Sequence, residues 1–235
     1  FNSNNPYRGW CVRVNKKGEM IPTASGIRSP GGIGLNHLGD VFYADNQGPW
    51  NGSSSLKHLA AGSFQSHPAS YRWWNLPLVQ KHMGPKPPVT PNSNSRTVKE
   101  RERVKEYVPP ACVLPHGKLG QSTSGITFAS NDKFGPFKNQ LIVSDQTYSN
   151  VSRVVLEKVN GVYQGAAILF VNGFGSGNIP SYYDPSGALF VGGSDRGWGA
   201  RGGKRFALDR VNWTGKVPFE VHEMRAKPDG FELTF

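Results

Sequence analysis

Arg28 stands in a glycine-rich turn, Gly26-Ile27-Arg28-Ser29-Pro30-Gly31-Gly32-Ile33-Gly34, just ahead of a proline whose ring fixes φ and stiffens the bend. Its guanidinium offers a planar fork of donors suited to a carboxylate. Downstream, Asp45-Asn46-Gln47-Gly48-Pro49 gathers side-chain and backbone oxygens in a second turn. Calcium takes about six to eight such oxygens, many of them carbonyls. The apolar run Val41-Phe42-Tyr43 lies between the two turns, so an anion-binding group and hard-cation donors sit at the two ends of one short strand. A plainer reading has Arg28 pairing locally and the second turn merely joining strands.

Other polar residues point less clearly to chemistry. His37, His58, His82, His116 and His222 lack zinc-type spacing and read as surface or hydrogen-bonded core residues. Cys11 and Cys112 allow one disulfide or two buried thiols, and they form no metal-type pair. Glu220, Glu223 and Asp229 are close in sequence but fall on opposite faces of a strand and a turn. The tract from Arg196 to Arg205 resembles arginine-glycine segments that bind single strands. It is one short copy between two strand-like runs, so a structured loop is expected and nucleic acid is not. Within that loop, Trp198 beside Arg196 could stack on a sugar ring or cover a sheet edge.

The elements that must position these residues are β-strands. The 235 residues include 29 glycines and 18 prolines, while an aromatic share of 11% supplies the apolar bulk that disordered chains lack. Short strands joined by glycine and proline turns are the natural reading. The net charge of +11 favours anionic partners. No apolar run approaches the roughly 18 residues of a membrane span. The chain opens on Phe1-Asn2-Ser3 without an initiator Met and stops in an alternating pattern ending at Phe235. These ends suggest a fragment cut from a longer polypeptide.

A repeat organises the chain. A turn followed by three apolar residues and a small or acidic one appears at 38–45, 138–145 and 186–193. The later two copies are 48 residues apart (Asn139 to Gly187) and the first two 100 apart (Gly39 to Asn139), close to twice that. A companion strand containing arginine follows the later copies at 152–156 and 207–211, and precedes the first at 11–14. A period of about 40 to 50 residues with four strands per unit is the signature of a propeller blade. The continuous apolar runs suit strands packed on both faces. A β-sandwich is the competing fold. Proline-rich and charged sequence near 76–115 reads as a surface insertion, with 96–106 a solvated loop or short helix. The expectation is one partial all-β propeller domain over 1–235, holding about four blades of a larger ring truncated at both ends.

Gly26-Ile27-Arg28-Ser29-Pro30-Gly31-Gly32 resembles the G-x-R-N-P-Q-G motif of the soluble quinoprotein glucose and sorbosone dehydrogenases, and Gln47-Gly48-Pro49 resembles that family's Q-G-P calcium turn. The likeness extends along most of the chain, through His67-Pro68-Ala69-Ser70, Phe134-Gly135-Pro136-Phe137, the run from Leu156 to Gly165, and Arg196-Gly197-Trp198-Gly199. It is nearest to dehydrogenase-like propellers of large secreted bacterial proteins.

The resemblance implies a six-bladed propeller that binds pyrroloquinoline quinone (PQQ) and calcium at one mouth of its channel, in the periplasm or outside the cell. Arg28, Ser29 and Gln47 would then be cofactor-binding, and the carbonyls of Gly48 and Pro49 would ligate calcium. The implied activity is a dehydrogenase of sugars or alcohols, with a haem domain as a candidate neighbour in the parent chain. Several positions depart from the pattern. Ser29 replaces an asparagine, Gln146-Thr147 stands where a cofactor lysine is found, and Asn178-Ile179-Pro180 where paired arginines are found. The family's catalytic histidine belongs upstream of residue 1, and His67 falls in a structural turn. The catalytic residue is therefore unassigned. The alternative is a non-catalytic secreted propeller that binds carbohydrate or protein.

Overall fold

The computed structural model describes residues 4–235; Phe1 to Ser3, part of the opening read above as a cut end, lie outside the described residues. The first two strands, β1 (Trp10–Val14) and β2 (Met20–Ser25), form an antiparallel hairpin. A four-stranded meander follows, β3 (Pro30–Leu35), β4 (Val41–Asp45), β5 (Ser54–His58) and β6 (Cys112–Leu114). A second has β7 (Thr123–Phe128), β8 (Leu141–Asp145), β9 (Asn150–Val159) and β10 (Val162–Asn172). A three-stranded sheet, β11 (Asn178–Asp184), β12 (Ala188–Ser194) and β13 (Phe206–Asn212), is followed by a hairpin, β14 (Glu223–Lys227) and β15 (Gly230–Thr234). The fold is all-β, built of successive antiparallel sheets.

The three apolar runs of the repeat occupy β4, β8 and β12, the second strand of each sheet. In β4 and β8 they are continuous because both faces are covered, whereas in β12 Leu189 and Val191 are buried and Phe190 is half-buried. Phe42, Ala44 and Leu56 of the first meander pack with Ile126, Leu141, Val143 and Val154 of the second. The opposite face of the second meander, through Ile142 and Val151, packs with Tyr183, Leu189 and Val191 of the third sheet. Each large apolar side chain buried this way stabilises by about 1.5–3 kcal/mol. Successive sheets thus stack face to face.

The arginine-bearing companions at 152–156 and 207–211 lie in β9 and β13, the third strands. The companion assigned to the first copy does not. Residues 11–14 lie in β1, in the separate hairpin, and β5 (Ser-Ser-Leu-Lys-His) is the third strand instead. Its polar composition hid it, because its burial depends on a buried ion pair described below.

The first strands β3, β7 and β11 lie side by side as a hub. Glycine permits this approach: a Cβ on Gly31 would meet the Thr123 carbonyl oxygen at 1.9 Å, and one on Gly32 the Ser124 oxygen at 2.2 Å. Residues 59–111 leave the first meander between β5 and β6 and carry two short helices, α1 (Pro77–His82) and α2 (Thr97–Arg103). Proline at the first turn and Lys81 and His82 in the last suit α1. Val79 and Met83 then anchor it on Trp10 and Trp74. Within the charged stretch 96–106, Glu100 is buried, accepting from the Asn92 N–H at 2.8 Å and from Arg103 at 2.7 Å. Cys11 is half-buried and Cys112 buried, and both are free thiols. Among the described residues no helix is long and apolar enough to cross a membrane.

Candidate anion site at the Arg28 cleft

Asp45 closes β4 and organises the site. It is fully buried, and its Oδ1 accepts the Ser29 N–H at 2.8 Å while Oδ2 accepts from Tyr43 Oη at 3.1 Å and Lys57 Nζ at 3.0 Å. Lys57, also fully buried, donates to the Gln65 carbonyl at 3.0 Å as well. A buried charge persists only when paired and hydrogen-bonded, and here both are. Burial, and then the Asp45 charge, push the Tyr43 phenol well above its ordinary pKa, so it stays a donor. The effect is to fix the backbone of Ser29 and with it the turn that carries Arg28.

Arg28 reaches back to the second turn. Its Nη1 donates to the Asn46 carbonyl at 3.3 Å, and Asn46 N–H donates to the Ser29 carbonyl at 3.2 Å. Its guanidinium lies against Gly48, where an added Cβ would meet Nη2 at 1.9 Å. Burial lowers the Arg28 pKa and the Asp45 charge offsets part of that, so the group remains cationic.

Arg28 and Ser29 line a cleft of about 630 Å³ together with Arg8, Trp10, Cys11 and Gly31. That volume lies within the range of about 300–1,000 Å³ usual for small-molecule sites. The β1 end enters because Ile27 N–H donates to the Gly9 carbonyl at 3.0 Å. Sequence reading missed Arg8 and Trp10, since no local pattern marks the β1–β2 pairing that sets Trp10 opposite Ser25, or the Trp10 Nε1 bond to the Ser70 carbonyl. Gln47 and Pro49 are exposed and lie outside the cleft lining, while Gly48 forms the backing of Arg28.

The residues suit an anionic, partly planar ligand: a cation on a fixed turn, small backbone at Gly31 and Gly32, and apolar walls from Trp10, Ile27 and Ile33. They do not fit a calcium ion taken alone. Gly48 and Asn51 exchange backbone bonds of 2.9 Å in both directions, and the Asn46 carbonyl accepts from both Arg28 and Asn51 Nδ2. The single carboxylate, Asp45, is neutralised by Lys57. Charge for a cation must come from the ligand.

His67 is structural, as its turn suggested, yet it is also an electrostatic neighbour of Arg28. Its Nδ1 accepts from the Ala69 N–H at 3.3 Å, and its ring meets Trp50 edge-on at 4.8 Å. Burial, then the Arg28 charge, lower its pKa to about 4. Of the other candidates, His58 and Asp40 join Tyr163 and Lys158 in a network away from the cleft. Glu220 bonds Arg153, and Glu223 bonds Arg225. Trp198 is 84% exposed and so covers no sheet edge.

Gln146 is buried, and its Nε2 donates to the carbonyls of Ser194, Asp195 and Gly199 at 3.3, 3.0 and 3.4 Å. Asn178 is buried too, donating to the Asn150 carbonyl at 3.0 Å. Both side chains tie the second meander to the third sheet.

No family model and no curated protein matches the sequence. Solved structures do match. A glucose dehydrogenase aligns with 90% of this chain and 50% of its own, at 18% identity and a TM-score of 0.54. A second glucose dehydrogenase aligns with 86% of this chain and 50% of its own, at 19% identity and 0.53. The PQQ-bound aldose sugar dehydrogenase of Streptomyces coelicolor aligns with 86% of this chain and 51% of its own, at 15% identity and 0.54. The fold is therefore that of the soluble quinoprotein sugar dehydrogenases, in agreement with the motif resemblance. The chain spans about half the length of the structures it matches.

Proposed function

We propose that this chain is a portion, about four blades, of a six-bladed quinoprotein-type propeller, and that the Arg28 cleft binds the carboxylate edge of PQQ. The observation that carries this reading is the seating of Arg28 on Gly48 at the wall of a ligand-sized cleft. Ser29 and Arg28 hold the ligand, and the Gln47-Gly48-Pro49 turn contributes calcium oxygens once the ligand supplies negative charge. A quinone held there supplies a two-electron acceptor for oxidation of a sugar or alcohol. Arg28 orients it and offsets its charge, and the apolar walls limit water. The setting is secreted or periplasmic. The test is titration of the protein with PQQ and calcium, followed by dye reduction with a panel of aldoses.

A second reading has its own support. The side chains of Gln146 and Asn178, at the positions of the family's cofactor lysine and arginine pair, are spent on inter-sheet hydrogen bonds. Under this reading the propeller is non-catalytic and binds a glycan or a protein. Saturable PQQ binding without dye reduction on any aldose would favour it.

A further inference from the structure

The glycine-rich basic loop between β12 and β13 has no part in the Arg28 cleft, yet it is firmly built. Arg201 N–H donates to the Thr147 carbonyl at 3.0 Å, Gly202 N–H to Ser149 Oγ at 2.9 Å, and Lys204 N–H to the Gly175 carbonyl at 3.0 Å. Ser176 Oγ donates to the Lys204 carbonyl at 2.7 Å. Residue 202 must be glycine, because a Cβ there would meet the Phe174 oxygen at 2.3 Å. The loop therefore lies down on residues 173–176. Beside it opens a cleft of about 460 Å³ bordered by Tyr148, Asn172, Phe174, Gly175, Arg201 and Lys204.

The guanidinium of Arg201 stacks on the Tyr148 ring, 4.4 Å from its centre. Stacking uses the face of the group and leaves the donor fork around its edge. Arg153 shows the contrast: it too stacks on aromatic rings, but its donors reach Gln140, Glu220 and the Val221 and His222 carbonyls. Among the described residues the side chains of Arg201 and Lys204 make no hydrogen bond or ion pair, and no acidic residue lines the cleft. Arg201, held on Tyr148, and Lys204, whose backbone is anchored to Gly175, thus border a ligand-sized space without an ion-pair partner, while the Asp209 carboxylate, outside the lining, accepts the Gly175 N–H at 3.1 Å. The Asn172 side chain offers an amide for hydroxyls, since the Gly175 and Gly202 N–H groups are already donated to Asp209 and Ser149. Trp198, exposed on the same loop, offers a flat face for an adjoining ring.

We infer that this cleft is a second binding site, taking the carboxylate of an acidic saccharide such as a uronate chain. Arg201 receives the carboxylate with its fork, and Lys204 adds a point charge. Hydrogen bonds on either side of the Ser122–Thr123 peptide link the site to the first one: Arg28 and Thr123 donate to Asn46, Thr147 to Ser122, and Arg201 to Thr147. The loops of both sites thus lie at the same end of the stacked sheets. The inference stands whether or not PQQ binds.

The test is calorimetric titration with an oligogalacturonate, its methyl ester, and an oligothymidylate. Saturable binding of the free acid is expected, weakened at least about tenfold by esterification, by Arg201→Gln or by Lys204→Gln. Arg13→Gln, an exposed charge on β1, should leave binding unchanged, and all variants should keep the parent circular dichroism. Absence of saturable oligogalacturonate binding would overturn the assignment. Equal weakening by Arg13→Gln, or oligothymidylate binding as tightly, would do the same by showing unspecific charge attraction.

Discussion

The guanidinium of Arg28 rests on the Cα of Gly48, with no room for a methyl group between them. The two glycine-rich turns of the candidate site are thus one structural unit. Gly48→Ala must push Arg28 off its seat. Overpacking of this kind costs about 1–3 kcal/mol, so a lowered unfolding midpoint is expected, with PQQ affinity reduced about tenfold or more. An unchanged midpoint and affinity would show that the contact does not hold Arg28 in place.

Arg28→Lys keeps the charge but removes the fork. Affinity for PQQ should fall about tenfold, while the unfolding midpoint moves much less than in Gly48→Ala. Equal affinity for the two proteins would mean that only charge is read.

Calcium should not raise the unfolding temperature by itself, since Asp45 is already matched by Lys57 and the turn carbonyls carry internal bonds. With PQQ present it should, and PQQ should bind more tightly with calcium by the same factor, as linkage requires. A calcium shift of equal size without the quinone would contradict this.

His67 carries a pH signature. Its pKa is lowered to about 4 in the folded protein, against about 6.5 in the unfolded chain. Between those values the unfolded state binds more protons, so stability is lost as pH falls from about 6.5 towards 4 and is retained above that window. Replacing His67 by Asn should flatten that part of the profile. Arg28→Gln should raise the His67 pKa, since the Arg28 charge is one cause of its depression. Titration of the imidazole by NMR reads both effects, and a native value near 6.5 would refute the placement.

Arg153 is fully buried and bridges β9 to the segment before β14, donating to Glu220 at 2.7 Å and the Val221 carbonyl at 3.0 Å. Its aromatic walls are Phe137 and Phe170. Glu220→Ala leaves a buried guanidinium short of its counter-charge and should cost about 3 kcal/mol or somewhat less, because Glu220 itself is partly exposed. Arg153→Met, which removes the charge and keeps the stem, should destabilise less than Arg153→Ala. Denaturant unfolding measures the order.

Much of this was legible in the residues. Val41-Phe42-Tyr43, Leu141-Ile142-Val143 and Leu189-Phe190-Val191 announced strands buried on both faces; the first two are, while in the third Leu189 and Val191 are buried and Phe190 on the other face is only half-buried. The strand Ser54–His58 was not legible, because Lys57 looks solvated until Asp45, twelve positions away, is seen to neutralise it. Residues 11–14 looked like a blade companion because a β-pattern fixes the strand and says nothing of its partner. At the site, the two turns were readable but not their meeting. The spacing puts them at the two ends of one strand, whereas Pro30–Leu35 is itself a strand pairing antiparallel with β4, which brings Arg28 and Gly48 together at the same end. The cleft wall from Arg8 and Trp10 was not readable, being set by the β1–β2 pairing and by bonds from Ile27 to Gly9 and from Trp10 to Ser70. Nor was Arg201, whose role depends on lying over Tyr148 rather than on its place in the glycine-rich tract.

The central claim is that Arg28 makes its cleft a quinone site. It is tested most directly by titrating PQQ into the protein in the presence of calcium, following quinone absorbance, beside the Arg28→Ala variant. Saturable one-to-one binding, lost or weakened at least about tenfold in the variant, is the predicted result. No saturable binding, or binding of equal strength by the variant, would contradict it.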